Sequence, residues 1–175
     1  MKGIILYQSK YGATKKYAGW LAEETGFDYI EIKKAALNNI LEYDTLIFGG
    51  GIYASGIAGL SFLRKYYQKI REKKILVFCV GASPYVESEI YRIKEHNLKG
   101  NLKEIPLFYC RGSWEESTMG VFDRTLCNML RKSVAKMDAT GYEPWMEALM
   151  SAAGQNCDWT EKKYLEPLFN ELCVL

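Results

Sequence analysis

The chain has 175 residues, 49% hydrophobic and 25% charged, with a formal net charge of +2. This is the length and balance of one globular domain, and at this size roughly 70% of the unfolded surface can be buried. So small a charge gives no basis for binding nucleic acid or an anionic membrane surface.

Five cysteines, Cys79, Cys110, Cys127, Cys157 and Cys173, form no C-x-x-C pair and are odd in number. Neither a disulfide framework nor a structural zinc is expected. Cys79 and Cys110 lie in apolar runs and read as small core residues. The first residues lead straight into a strand pattern, so no signal peptide is expected. No apolar run reaches the roughly 18 residues of a membrane span. The expectation is the reducing cytoplasm, with peripheral membrane contact left open.

Residues 3–7 form the first apolar run and predict a strand. Ser9, Lys10, Tyr11, Gly12, Ala13 and Thr14 follow, read as a tight loop opening a helix. Such a loop aims backbone N–H groups, hydroxyls and the positive end of a helix dipole at one point, which suits a terminal phosphate. The spacing is neither G-x-x-x-x-G-K-[ST] nor G-x-G-x-x-G, which argues against a P-loop NTPase and a dinucleotide Rossmann site. Tyr17, Ala18, Leu21 and Ala22 make the apolar face of the helix.

A second strand is predicted at residues 29–32 and a third at 45–49. Gly49, Gly50, Gly51, Ile52, Tyr53, Ala54, Ser55 and Gly56 then read as a glycine-rich loop. Phe62, Leu63, Tyr66, Tyr67 and Ile70 mark a second helix. The basic cluster Lys69, Arg71, Lys73, Lys74 at its end suits a helix C-terminus and solubility. Residues 75–80 predict a fourth strand, followed by the loop Gly81, Ala82, Ser83, Pro84, Tyr85. Val86, Ile90 and Ile93 mark a third helix, and residues 106–109 a fifth strand. The first, third and fourth runs are almost wholly apolar, as in central parallel strands covered on both faces.

After the fifth strand the alternation ends. Residues 111–116 read as a loop. Phe122, Leu126, Met129, Leu130, Val134 and Met137 form a long helical stripe. A polar stretch leads to a last helix, with Asp158 and Glu161 at N-cap and N3 spacing. Its apolar face is Tyr164, Leu165, Leu168, Phe169 and Leu172, and Pro167 should kink or divide it. Five strands alternating with helices predict an α/β, doubly wound parallel sheet with right-handed crossovers and helices on both faces. A helical insertion at about 111–156 lies within one domain spanning 1–175.

In open parallel sheets, ligands bind outside the carboxyl ends of the strands at the topological switch point. Loops 9–14, 49–56 and 81–85 all leave such ends, and the second and third each add an aromatic ring. Any one of them can be ordinary turn chemistry. Together they supply a phosphate cradle and a flat slot bounded by aromatics.

Ser-Lys-Tyr-Gly-Ala-Thr resembles the flavodoxin phosphate motif [ST]-x-[ST]-G-x-T, with Tyr11 replacing the middle hydroxyl. The resemblance implies the flavodoxin strand order 2-1-3-4-5 with FMN at the β1/β3 switch point, for which flavodoxin is the standard example. It extends toward the flavodoxin-like branch of menaquinone-dependent protoporphyrinogen oxidases. The carrying residues are the phosphate loop, the turn Phe48-Gly49-Gly50-Gly51-Ile52, Gly112, Phe122-Asp123-Arg124 with its Leu/Met stripe, and Asp158-Trp159. That family's second loop often carries Arg where this chain has Tyr53, and the family is more basic.

On this resemblance Ser9, Lys10, Tyr11, Gly12, Ala13 and Thr14 hold the phosphate. Gly50, Gly51, Ile52, Tyr53, Ala54, Gly81, Ala82, Ser83, Tyr85, Gly112 and Trp114 flank the flavin ring, with Tyr53, Tyr85 or Trp114 stacking on it. The implied function is an FMN oxidoreductase passing electrons from a reduced substrate, such as a porphyrinogen, to a quinone. Two alternatives stay open: a diffusible electron carrier serving redox proteins, and a flavin-free interaction or regulatory domain. The net charge of +2 fits poorly with acidic carriers steered to their partners. Other chemistry lacks residues. His96 stands alone in a polar tail, and Ser83 lacks the closing Gly of a nucleophile elbow. No metal-ligand cluster is expected, and the chemistry would lie on the flavin.

Overall fold

The structure is a computed structural model that describes residues 2–173. Met1, Val174 and Leu175, the ends of the expected 1–175 domain, lie outside the described residues. The apolar runs form β1 (Gly3–Gln8), β2 (Asp28–Glu31), β3 (Thr45–Tyr53), β5 (Lys74–Gly81) and β6 (Leu107–Arg111), with β4 (Gly56–Ile57) a short return on β3. The sheet order is β2-β1-β3-β5-β6, and every pairing along it is parallel. With β4 set aside, this is the expected order 2-1-3-4-5. The switch point falls between β1 and β3, where neighbouring connections leave in opposite directions.

Alternate residues of the central strands feed two cores, as the strand period of two requires. Leu6, Leu46, Phe48 and Val77 pack on one face with Leu60, Leu63 and Ile70 of α3 (Leu60–Ile70). Ile90 and Ile93 of α4 (Glu87–Asn97) border the same core. Ile5, Ile47, Leu76, Phe78 and Cys110 pack on the other face. Tyr17, Ala18 and Leu21 of α1 (Ala13–Thr25) and Leu168 and Leu172 of α7 (Glu166–Cys173) cover them. A one-turn α2 (Leu37–Ile40) lies between β2 and β3.

Three local expectations are corrected. First, the glycines after the third strand are not a loop. β3 runs on through Gly49, Gly50 and Gly51 to Tyr53, then turns at Ala54 and Ser55 into β4. These glycines answer to packing. A Cβ on Gly49 would lie 2.1 Å from the Phe78 ring, and one on Gly50 2.0 Å from the Ala58 carbonyl oxygen. Second, residues 111–116 are not a free loop. β7 (Ser113–Glu115) pairs antiparallel with β8 (Asn156–Asp158), Trp114 opposite Cys157. The short, mixed sequences of both strands give no strand period to read.

Third, Asp158 does not cap the last helix. Its Oδ1 accepts from Thr160 N at 3.0 Å, and its Oδ2 meets Lys16 Nζ at 2.9 Å. A 3₁₀ turn at Lys162–Leu165 precedes α7, so the segment divides just ahead of Pro167, which sits in the first turn of α7. There the missing N–H of proline costs no hydrogen bond.

Between β7 and β8 the chain makes a helical excursion of α5 (Val121–Val134) and α6 (Pro144–Ser151). Val134, Ala148, Leu149 and Ala152 are buried within it. Tyr142 Oη donates to the Val134 carbonyl at 3.1 Å. Both ends of the excursion meet in the β7–β8 ribbon, so it stands on a two-stranded base beside the carboxyl edge of the sheet.

Candidate functional site

The loop between β1 and α1 is short because Gly12 turns it with φ +96°, a conformation L side chains rarely adopt. Gly12 N donates to Ser9 Oγ at 3.1 Å, so the Ser9 hydroxyl hydrogen remains directed elsewhere. The first turn of α1 carries no side-chain cap and no acidic residue. Its N–H groups and the positive end of its dipole therefore face outward unneutralised, which favours an anion. Thr14, on that first turn, is only 3% exposed.

This loop forms one end of a cleft of about 730 Å³ at the carboxyl ends of the strands. That volume lies in the range of small-molecule sites. Gly51, Ile52, Tyr53 and Ala54 of the β3–β4 turn, Gly81 and Ala82 after β5, and Gly112, Ser113 and Trp114 after β6 line the cleft as well. Tyr53 stands at the mouth, with Lys10 Nζ 5.7 Å from its ring centroid. Burial pushes the Tyr53 phenol above its ordinary value. Trp114 Nε1 is buried with no hydrogen-bond partner among the described residues. An orphaned donor in a cleft wall is a polar group in want of a ligand.

The remaining wall is α5. Phe122, Leu126 and Leu130, one helical stripe, line the cleft together with Met119 and Cys127. Asp123 ties this helix to the phosphate loop, accepting from both Lys10 Nζ and Tyr11 Oη. The Lys10 hydrogen bond, then that of Tyr11, holds the Asp123 carboxyl below the usual carboxylate value. The same Asp123 bond raises Lys10. At the far end of α5, Arg131 pairs with Glu116, and Gly154 N donates to the same carboxylate at 3.0 Å. The Arg131 bond, with that of Gly154, lowers Glu116.

Of the expected residues, Ser9, Lys10, Tyr11, Ala13, Thr14, Gly51, Ile52, Tyr53, Ala54, Gly81, Ala82, Gly112 and Trp114 meet around this one cleft. Gly12 lines an adjoining recess of about 390 Å³, together with Lys16, Asp158 and Thr160. Gly50, Ser83 and Tyr85 are not brought to the cleft. Gly50 packs under Ala58, and Tyr109 Oη donates to the Ser83 carbonyl. Tyr85 is 58% exposed, its ring set against Tyr109. The sequence left the α5 stripe open between packing on the sheet edge and standing beside the ligand as a lid or docking surface. The spacing of Phe122, Leu126 and Leu130 was legible, but nothing in the spacing said which way the stripe faces.

A parallel sheet in this order, with an anion-receptive helix end and an apolar cleft at its switch point, defines a flavodoxin-like α/β protein. The flavodoxin domain model matches residues 4–140, and the chain belongs to that family. An uncharacterized protein of Methanocaldococcus jannaschii is 32% identical over 126 residues, covering 70% of this chain and 81% of that protein. Among solved structures, a WrbA-like flavodoxin from Agrobacterium tumefaciens is 16% identical. It covers 87% of this chain and 92% of its own, with a TM-score of 0.44. Oxidised flavodoxin 1 from Bacillus cereus is 21% identical, covering 79% and 100%, with a TM-score of 0.39. No helix among the described residues is long and apolar enough to cross a membrane.

Proposed function

We propose that the chain is one domain binding FMN in the switch-point cleft, and that it is an oxidoreductase whose second substrate approaches along α5. The observation that carries this reading is the single cleft shared by the phosphate loop and the apolar stripe of α5. A carrier that only passes electrons to a docked protein needs an accessible flavin edge. Here a fixed helical wall stands over the cleft instead, and its ties to Lys10 and Tyr11 reach the loop itself.

The residues present fit FMN. Ser9, Thr14 and the N–H groups opening α1 would hold the terminal phosphate, with Lys10 nearby. Tyr53 and Trp114 are the rings available to a flat aromatic system, and Trp114 Nε1 is a donor awaiting an acceptor. Bound flavin supplies the capacity to accept and release electrons in ones or twos. The protein's part is to bind, orient and keep water from the apolar side of the cleft. Phe122, Leu126 and Leu130 suit a bulky, largely apolar partner such as the macrocycle of a porphyrinogen as donor or a quinone as acceptor.

Apo-protein titrated with FMN and FAD, followed by anaerobic turnover with reduced donors and quinones, tests this reading. FMN binding with a clear preference over FAD, and reduction of a quinone by the loaded protein, are expected. A colourless protein with no flavin affinity overturns the flavin reading. Bound FMN that reduces only redox proteins favours the carrier. The cytoplasm remains the proposed compartment.

A further inference from the structure

The turn between β3 and β4 places two consecutive non-glycine residues at positive φ, Ala54 at 46° and Ser55 at 66°. Tyr53 pairs with Gly56 across it, so it is a two-residue hairpin with positive φ at both central positions. Asn-Gly and related pairs normally fill such turns, because side chains are strained there. Strain of this kind persists only where the surroundings over-determine the backbone. The surroundings here are Asn97, the last residue of α4, which is only 2% exposed. Its Nδ2 donates to the Ser55 carbonyl at 2.7 Å, and its Oδ1 accepts from Ile57 N at 2.8 Å. One buried amide thus bridges the turn and the strand that returns from it.

Asn97 is itself held. Nδ2 also donates to the Ile93 carbonyl at 2.9 Å, and Arg64 Nη2 donates to the Asn97 carbonyl at 3.0 Å. Asparagine at a helix end can serve only its own helix, and the Ile93 bond is of that kind. The other two side-chain bonds go to the hairpin instead. The hairpin's Ile52, Tyr53 and Ala54 line the cleft, while Asn97 does not. The cleft wall is therefore clamped from behind by a residue that touches no ligand.

We infer that Asn97 is a positioning residue for the flavin site, fixing the strained hairpin so that Ile52, Tyr53 and Ala54 present one preformed wall to the ring. The inference rests on the flavin reading above. A preformed wall avoids ordering the hairpin when ligand binds, so its loss weakens binding without removing a contact. It also changes how the wall distinguishes the ligand's oxidation states, which is a shift in potential. Asn97→Asp keeps the shape and the acceptor for Ile57 N but replaces the donor facing two carbonyls with an oxygen.

The test uses the full chain. In wild type, FMN binds and the Ile57 amide is protected from hydrogen exchange before flavin is added. Asn97→Asp, which loses the donor to the Ser55 carbonyl, is expected to weaken FMN binding roughly tenfold, and to change the visible circular dichroism and midpoint potential of the bound flavin. Adding Ser55→Gly relieves the strain and should recover part of the affinity without restoring Asn97. If Asn97→Asp fails to fold, Ser55→Pro is used, since it cannot adopt φ 66° and lies at an exposed turn outside the core. It must reproduce the loss. Wild-type affinity, spectrum and potential in a folded Asn97→Asp or Ser55→Pro protein overturn the inference and leave the flavin reading standing. Wild type that binds no FMN overturns the flavin reading, and the inference with it, even where Ile57 is protected.

Discussion

Single side chains separate a ligand site from a merely well-packed loop. Thr14 is buried on the first turn of α1 and lines the cleft. Removing its hydroxyl should cost a charge-assisted hydrogen bond to phosphate, about 1.5–3 kcal/mol or roughly 10- to 150-fold in affinity. Fluorescence titration of Thr14→Ala with FMN checks this, and an unchanged affinity removes the phosphate from that place. Trp114 gives a test of opposite sign in the two states. Its buried Nε1 has no partner among the described residues, and an unsatisfied buried donor costs about 1–3 kcal/mol. Trp114→Phe should therefore leave the apo-protein as stable or more stable in thermal melts, while weakening FMN binding. A variant that loses apo stability and keeps full affinity shows that the indole serves packing alone. Ser9, Gly12 and Thr14 were legible because a phosphate loop is a local motif, whereas an orphaned indole nitrogen exists only once β7 and β8 pair.

At the scale of elements, two carboxylates fasten the chain after β6 to the phosphate loop and α1, and both are held below the usual carboxylate range. Desolvation raises Asp158, but hydrogen bonds from Lys16 and Thr160 outweigh it and bring the carboxyl down to about 2 from an ordinary 3.8. A depressed folded value means the ionised form is favoured by folding. The contribution is therefore fully present above about pH 4 and disappears as pH falls toward 2. The side chain is 56% exposed, so the pair should give no more than about 1 kcal/mol, or roughly 2–4 °C in Tm for a chain this long. Asp158→Asn should show that deficit at pH 7 and converge on wild type near pH 2. A deficit constant with pH excludes the ion pair as its cause. Asp123 is the fastening on the cleft side, bonded to Lys10 and Tyr11. Asp123→Asn should speed FMN association and dissociation in stopped-flow measurements by freeing α5 from the loop. Unchanged rates show that α5 does not gate entry. Five strands and the main helices were legible at this scale because buried parallel strands and amphipathic helices carry strong periods. The glycine run Gly49, Gly50, Gly51 misled for the same reason it matters: glycine signals a turn in sequence, while here it lets Phe78 and Ala58 approach the strand. β7 and β8 were illegible because three residues cannot display a period.

At the scale of the whole molecule, the fold divides into a sheet that holds the cleft and an excursion that roofs it. Alternation of strands and helices made the doubly wound parallel sheet readable, while its strand order and switch point followed only from the resemblance of the phosphate loop to flavodoxins. The apolar stripe was readable as a helix, with a lid beside the cleft and packing on the sheet edge both open, because its direction depends on the ribbon that carries it. Phe122 remains 79% exposed, although it is among the largest apolar side chains of the chain. An exposed stripe of that kind marks a surface that meets something else. The division can be cut cleanly. Glu115 and Asn156 are paired across the ribbon, so replacing residues 116–155 with Asn-Gly would close β7 and β8 as a two-residue hairpin. The cores on both faces of the sheet contain no residue from the deleted segment. The shortened chain should therefore fold with a cooperative melt and keep the phosphate loop, the β3–β4 hairpin and Trp114. It should still bind FMN and take up electrons from dithionite. Without Phe122, Leu126 and Leu130 it should lose turnover with quinones while reduction of small soluble acceptors continues. Failure to fold would make the excursion structural. A folded, yellow protein with wild-type quinone turnover would free α5 of any part in the reaction and return the carrier reading to first place.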